Sequence, residues 1–383
     1  MDPVYFDNSA TTPIRPEVVE AMANVLKNEF GNPSSSHSYG RSSKSLVENS
    51  RKEIAAHFNA HPGEIIFTSG GTEADNLAMR SSVKDLGVKH IITSRIEHHA
   101  ILHTADSLAS EFDIKLSFVN LEDNGVIDLE QLEDLIQENE KTLVSLMHVN
   151  NEVGNLLDLK KAADICKKKN ALFHSDCVQS VGHFHIDVQD IPIDFFAASA
   201  HKFHGPKGVG FSFIRKSSGL KPLIIGGEQE RGLRAGTECV HNIVGLAESL
   251  KYAYENMDSD KAHIEGLKFH FIHRLKAEIP GVKFNGCSAD RELGTYTLVN
   301  VCLPVPEDKA AMFLFQLDLK GIACSKGSAC QSGSDKGSHV LAEILSDADL
   351  NKPSIRFSFG IFNTKKEVDY VVGILKELIS VEA

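Results

Sequence analysis

The sequence predicts an α/β fold: a large lobe around a mainly parallel central sheet, with a smaller α+β lobe towards the C-terminus. Three observations lead there. Short apolar runs alternate with stretches whose apolar residues fall three or four apart, the pattern of strands exchanged with amphipathic helices. Several of those runs are apolar throughout, as strands are when helices cover both faces of a sheet. At 383 residues the chain also exceeds one ordinary domain, so two lobes are expected.

In chain order, strands of the large lobe are expected at 64–68, 89–93, 115–119, 143–149, 171–175, 195–199 and 209–214. Helical spacing shows between them, for example at Ile101, Ala105 and Leu108, or at Leu129, Leu132 and Leu135. One long helical stretch from about 240 to 277 then leads to the smaller lobe. There, 298–303 and 354–359 read as strands, and 308–319 and 365–379 as helices. We assign 14–258 to the large lobe, and 1–13 with 259–383 to the small one. The stretch 325–338 is rich in Gly and Ser and nearly lacks apolar anchors, and loops of that length in compact enzymes are usually functional.

Composition narrows the function classes. Hydrophobic residues make up 42% and charged residues 24%, which is globular. With 52 acidic and 40 basic residues the formal charge is −12, which argues against a nucleic-acid or anionic-membrane surface. No apolar run approaches the roughly 18 residues of a membrane span. The start, Met1 to Asp7, lacks a basic stretch followed by an apolar core, so no secretory signal is expected. Seven cysteines without CxxC spacing suit a reduced, cytoplasmic setting.

Three motifs carry chemistry. In Ser69-Gly70-Gly71-Thr72 a strand ends and a helix begins at once. Glycines let the backbone approach an anion, and the helix start offers unpaired N–H groups and a favourable dipole. The same residues also suit a tight turn with an ordinary Thr cap. Asp176 stands at the end of an apolar run, the edge where open α/β sheets bind ligands. A carboxylate there could pair with a protonated ring nitrogen, or cap a helix. In Ser199-Ala200-His201-Lys202 a strand runs into a lysine, followed by Gly205-Pro206-Lys207-Gly208. Partial desolvation would make that lysine a better nucleophile, as a Schiff-base lysine requires. An anion cradle, a strand-end acid and a strand-end lysine together match pyridoxal phosphate, which needs its phosphate held, its ring nitrogen protonated and its aldehyde bound as an imine.

These motifs, in company with others, resemble the cysteine desulfurases of the class V aminotransferase family. The likeness rests on Asp7-Asn8-Ser9-Ala10-Thr11-Thr12-Pro13, Gly31-Asn32-Pro33-Ser34, Glu97-His98, the run from Met147 to Gly154, His201-Lys202, the run from Gln229 to Thr237, Gly327-Ser328-Ala329-Cys330 and Ile355-Arg356-Phe357-Ser358. It implies the type I fold of pyridoxal-phosphate-dependent transferases. It implies conversion of L-cysteine to L-alanine, with sulfur held as a persulfide on Cys330 and passed to an iron–sulfur scaffold or another acceptor protein.

By the same resemblance Lys202 bears the cofactor, Asp176 pairs with the pyridinium nitrogen, and Gln179 bonds the ring hydroxyl. His98 stacks on the ring and moves protons. Gly71, Thr72, Ser199 and His201 hold the phosphate, joined by Thr237 of a second subunit, so a homodimer is expected. Asn151 and Arg356 bind the substrate carboxylate, which suits a guanidinium fork. Half of the 325–338 loop, at about 3.4 Å per residue, could carry the Cys330 thiol on the order of 20 Å. The chain ends at Ala383, soon after its final helix, whereas longer members carry a scaffold-docking tail; which acceptor is served stays open.

Other readings weigh less. A selenocysteine preference stays open, since selenium and sulfur differ little in shape. An aminotransferase has no use for Cys330, and a non-catalytic scaffold has none for Lys202. Cys324 is an extra thiol suited to packing or to a regulatory disulfide. His99 and His103 lie four apart and His183 and His185 flank Phe184, but this is not a zinc-protease spacing and no metal is expected.

Overall fold

The apolar runs assemble, among the described residues, into a seven-stranded sheet in the large lobe and into a three-stranded sheet and a two-stranded pair in the small lobe. The computed structural model describes residues 3–327 and 337–382, without the side chains of 307–309, 311, 381 and 382. Strand β1 (Val4–Tyr5) belongs to the small lobe. The large sheet comprises β2 (Ile65–Thr68), β3 (His90–Thr93), β4 (Lys115–Phe118), β5 (Thr142–Ser145), β6 (Leu172–Asp176), β7 (Phe195–Ser199) and β8 (Gly210–Ile214). Their order across the sheet is β2-β8-β7-β6-β5-β3-β4.

The sheet is mainly parallel, as expected, with β8 alone running against its neighbours β7 and β2. The reason is local. Only residues 200–209 separate β7 from β8, and a parallel return would need a crossover of a dozen residues or more. Helices cover both faces. Phe58, Phe196, Phe211 and Phe213 pack ring against ring on one of them. Each such buried ring contributes roughly 1.5–3 kcal/mol.

Two expected elements differ. In the run 143–149, strand β5 ends at Ser145: beyond it the Met147 amide turns to the Glu97 carboxylate at 3.0 Å, while the Leu146 and His148 N–H groups still donate to the His174 and Asp176 carbonyls of β6. The stretch 240–277 is two helices, Val240–Glu255 and Met257–Glu278, broken at Asn256 (φ −109°, ψ 10°). At the other termini the strands and helices depart from expectation by a few residues at most.

In the small lobe β9 (Lys283–Phe284), β10 (Leu298–Cys302) and β12 (Ser354–Ser358) form an antiparallel sheet, while β1 pairs parallel with β11 (Ile322–Ala323). Phe6 from the N-terminus packs edge-on against Phe271 and Phe359, which ties the chain start into this core. The helices Met257–Glu278 and Lys365–Glu382 cover it. No helix among the described residues is long and apolar enough to cross a membrane.

Candidate active site

The carboxyl ends of β2, β5, β6 and β7 meet at one edge of the large sheet, and each delivers a functional group there. After β2, Gly70 adopts φ +156° and ψ −176°, backbone that a side chain rarely permits. The helix Gly71–Leu86 starts at once with no side-chain cap. A Cβ on Gly71 would lie 2.5 Å from Val178 Cγ2, so the helix start sits hard against the turn after β6. Uncapped N–H groups and the helix dipole make this edge receptive to an anion.

Asp176 is the last residue of β6 and is buried, with Oδ1 accepting the Val178 N–H at 2.9 Å. Burial raises its pKa, against the lowering influence of His98, the Val178 N–H and Lys202. Among the described residues it forms no ion pair. His98 precedes the helix His99–Phe112 and its Nδ1 accepts the Ala100 N–H at 3.1 Å. Burial lowers the His98 pKa, so the ring is neutral, and with Nδ1 accepting, its proton resides on Nε2.

Behind Asp176 lie two further acids. Asp75, one turn into the helix Gly71–Leu86, is buried, and its Oδ1 is 3.5 Å from His174 Nε2. This is not an ion pair. Burial drives His174 down to about 3 and, reinforced by Asp176 and Glu97, drives Asp75 well above the usual carboxylate range. Glu97 accepts from Ser94 Oγ at 2.8 Å and from the Met147 N–H, and burial pushes it up to about 8.

Lys202 follows β7 on a short 3-10 turn, and its Nζ donates to the carbonyls of Ser9 and Ala10. The Ser9 carbonyl also accepts from Gln179 Nε2 at 2.9 Å. His201 Nδ1 lies 3.1 Å from Thr11 Oγ1, and burial, then Lys202 and Lys207, lowers the ring to about 4. His183, one of the metal candidates, instead contacts the Lys202 carbonyl at 3.3 Å and Tyr296 Oη at 3.1 Å. His99 stacks on His103 at 4.8 Å, and no trio of His, Cys, Asp or Glu among the described residues is set to hold a metal. Arg356, in β12, donates from Nη1 to the Asn151 carbonyl at 2.7 Å and from Nη2 to Asp7 Oδ1 at 2.8 Å.

One cleft of about 210 Å³ collects these groups: Gly71, Thr72, His98, Asn151, Asp176, Gln179, Ser199, His201, Lys202 and Arg356 all line it. A larger surface groove of about 440 Å³ near Glu133, Lys160 and Lys168 holds only solvated charges and aliphatic stems. Thr237 is exposed and lies away from the cleft. Cys330 lies outside the described residues. Cys324 is a free thiol packed against the small-lobe core, and burial raises its pKa.

Residues 4–371 match the family model described as Aminotransferase class-V. The chain belongs to the class V aminotransferase family. Curated relatives named Cysteine desulfurase IscS include one from Dictyoglomus turgidum, 39% identical over 98% of this chain and 94% of its own. One from Clostridium botulinum is 41% identical over the same shares. Among solved structures, a NifS-like protein superposes with TM-score 0.90 at 34% identity, covering 99% of this chain and 100% of its own. SspA in complex with cysteine gives 0.81 at 31% identity, over 94% and 100%. The fold is therefore the type I fold of pyridoxal-phosphate enzymes.

Class V aminotransferases depend on pyridoxal phosphate, and this cleft suits it. A buried carboxyl with no ion pair among the described residues would suit the ring nitrogen, and an uncapped helix start would suit the phosphate. A lysine amine resting on two backbone carbonyls answers the aldehyde. Sequence reasoning missed Asp75 and the carbonyls of Ser9 and Ala10, and assigned no task to Glu97. The one available signal for Asp75 was an acid on the apolar face of its helix, between Ala74 and Leu77.

Proposed function

We propose that this class V aminotransferase is a cysteine desulfurase that converts L-cysteine to L-alanine and passes the sulfur, through a persulfide on Cys330, to an acceptor protein. The observation that carries the reading is the single cleft uniting the Lys202 amine, the buried Asp176, the uncapped helix start at Gly71 and the Arg356 guanidinium. Cysteine as substrate is supported by the relatives' names and by the neighbour that holds it.

When bound, pyridoxal phosphate supplies an aldehyde carbon for the substrate amine and a ring that withdraws electrons from it. Gly71, Thr72, Ser199 and His201 would hold the phosphate. Asp176 would keep the ring nitrogen protonated, opposite charges about 4 Å apart at an effective dielectric of 20 attracting by roughly 4 kcal/mol. Gln179, whose Nε2 donates to the Ser9 carbonyl, would bond the ring hydroxyl. Asn151 and Arg356 hold the substrate carboxylate, and Lys202 removes the proton from Cα.

The Cys330 thiolate then attacks the substrate sulfur. The new S–S bond forms as the substrate Cβ–S bond breaks and the bonding pair stays on Cβ; Cβ takes up one proton, matching the one the Cys330 thiol gave up, and Lys202 returns its proton to Cα, which completes alanine. With its proton on Nε2, the neutral His98 ring would donate a hydrogen bond into the cleft, while Lys202, protonated after taking the Cα proton, is the acid at hand. An ordinary thiol of pKa near 8.5 is only a few per cent ionised at neutral pH, so this step needs a base to take the thiol proton.

We also propose a homodimer in which Thr237 completes the neighbour's phosphate site, a division into 14–258 and 1–13 with 259–383, and a cytoplasmic setting. The test is incubation of the protein with L-cysteine and a thiol reductant. Alanine and sulfide are expected in equal amounts, and pyruvate with ammonia in their place would refute the assignment.

A further inference from the structure

Arg356 is held at two corners before any substrate arrives. Its side chain is almost wholly buried in β12, with Nη1 on the Asn151 carbonyl and Nη2 on Asp7 Oδ1, while Nε has no partner among the described residues. Asp7 is itself locked to the strand that carries Arg356. It forms a parallel bridge with Ser358, two residues further along. The next two residues repeat the attachment: Asn8 Nδ2 donates to the Ser358 carbonyl at 2.9 Å and the Ser9 N–H to Ser358 Oγ at 2.8 Å. Tyr5 Oη donates to the Asp7 carbonyl at 3.1 Å.

A guanidinium on a flexible stem samples several rotamers, and each one lost on binding costs affinity. Fixed by a carboxylate at one corner and a carbonyl at another, it keeps one orientation and leaves its remaining N–H edge for a carboxylate. We infer that Asp7 is a positioning residue for substrate binding: it pre-orients Arg356 to receive the α-carboxylate of the amino acid. The inference rests on the reading of the cleft as a pyridoxal-phosphate site for an amino acid. The carbonyls on which the Lys202 amine rests are those of Ser9 and Ala10.

The experiment compares the cofactor-loaded protein with Asp7→Asn, Asp7→Glu, Arg356→Gln and the Asp7→Asn/Arg356→Gln pair. Binding of L-alanine is read from the cofactor's absorption, and KM and kcat are measured for L-cysteine and for cysteamine, which lacks the carboxylate. Losing one charge-assisted bond should raise the L-alanine Kd and the L-cysteine KM about tenfold in Asp7→Asn, with kcat nearly unchanged. Cysteamine kinetics and the chromophore should be unaffected, Asp7→Glu should recover part of the affinity, and Asp7→Asn should add nothing to Arg356→Gln. Unchanged L-alanine binding, an equal loss for cysteamine, an additive double variant or loss of the chromophore in Asp7→Asn would each overturn it. Failure of the underlying reading is distinct, since the unmodified protein would then show no chromophore or no response to L-alanine.

Discussion

Lys202 Nζ donates to the Ala10 carbonyl at 3.0 Å across 192 residues of chain. The Ser9 carbonyl is a second acceptor and is shared with Gln179. The amine that should carry the cofactor is therefore aimed by the N-terminal strap as well as by its own strand end. That strap also supplies Asp7 to Arg356, so one short segment positions groups at both the cofactor and substrate ends of the cleft.

Lys202→Ala should abolish the yellow chromophore that borohydride fixes to the protein. Absorption spectra before and after reduction, with mass spectrometry of the labelled peptide, test this. A chromophore that stays covalently fixed in the variant would move the assignment to another lysine.

Cys330→Ala should keep the chromophore and still respond spectrally to L-cysteine, yet form no protein persulfide. Alanine production should fall at least a hundredfold, because the nucleophile that opens the C–S bond is gone. Undiminished alanine output would place the nucleophile elsewhere.

Asp176→Asn removes the carboxylate that should keep the ring nitrogen protonated. If even half of the roughly 4 kcal/mol attraction is lost, the rate falls more than tenfold. The chromophore should form but shift in absorption, and pyridoxal phosphate should bind more weakly by equilibrium dialysis. A variant with normal turnover would contradict the pairing.

Glu97 gives a pH signature. Its folded pKa of about 8 lies above the ordinary 4.5, so the folded state binds the extra proton between those values. Stability that is present below about pH 4.5 is therefore lost as pH rises through this window, and the loss levels off above about pH 8. Glu97→Gln lacks that dependence. Urea unfolding of both proteins at several pH values should show the parent falling relative to the variant between pH 5 and 8. The slope is at most about 1.4 kcal/mol per pH unit, a few kcal/mol in all. A difference constant across that range would show that Glu97 is ionised in the folded protein.

Much of the site was legible in the sequence because it sits where strands stop. Apolar periodicity marks strand ends, and Asp176, Lys202 and Gly71 each stand at one, so their shared edge followed from the α/β pattern alone. Apolar periodicity could not reveal that Asn256 breaks a long helix, which depends on how the chain turns rather than on which face is apolar, and the reversal of β8 shows only in the shortness of the 200–209 connection. Periodicity gave no access to the Asp75–His174 contact, the carbonyls of Ser9 and Ala10, or the Asp7–Arg356 pair. Those contacts join residues tens to hundreds of positions apart, and only the packing of distant segments, within each lobe for Asp75–His174 and Asp7–Arg356 and between lobes for Lys202, brings them within bonding distance. The sequence alone thus determined which candidate groups stand at strand ends and at which edge of the sheet they gather. The folded chain decided how they are aimed and which are neutral, because orientation and desolvation arise from packing between distant segments.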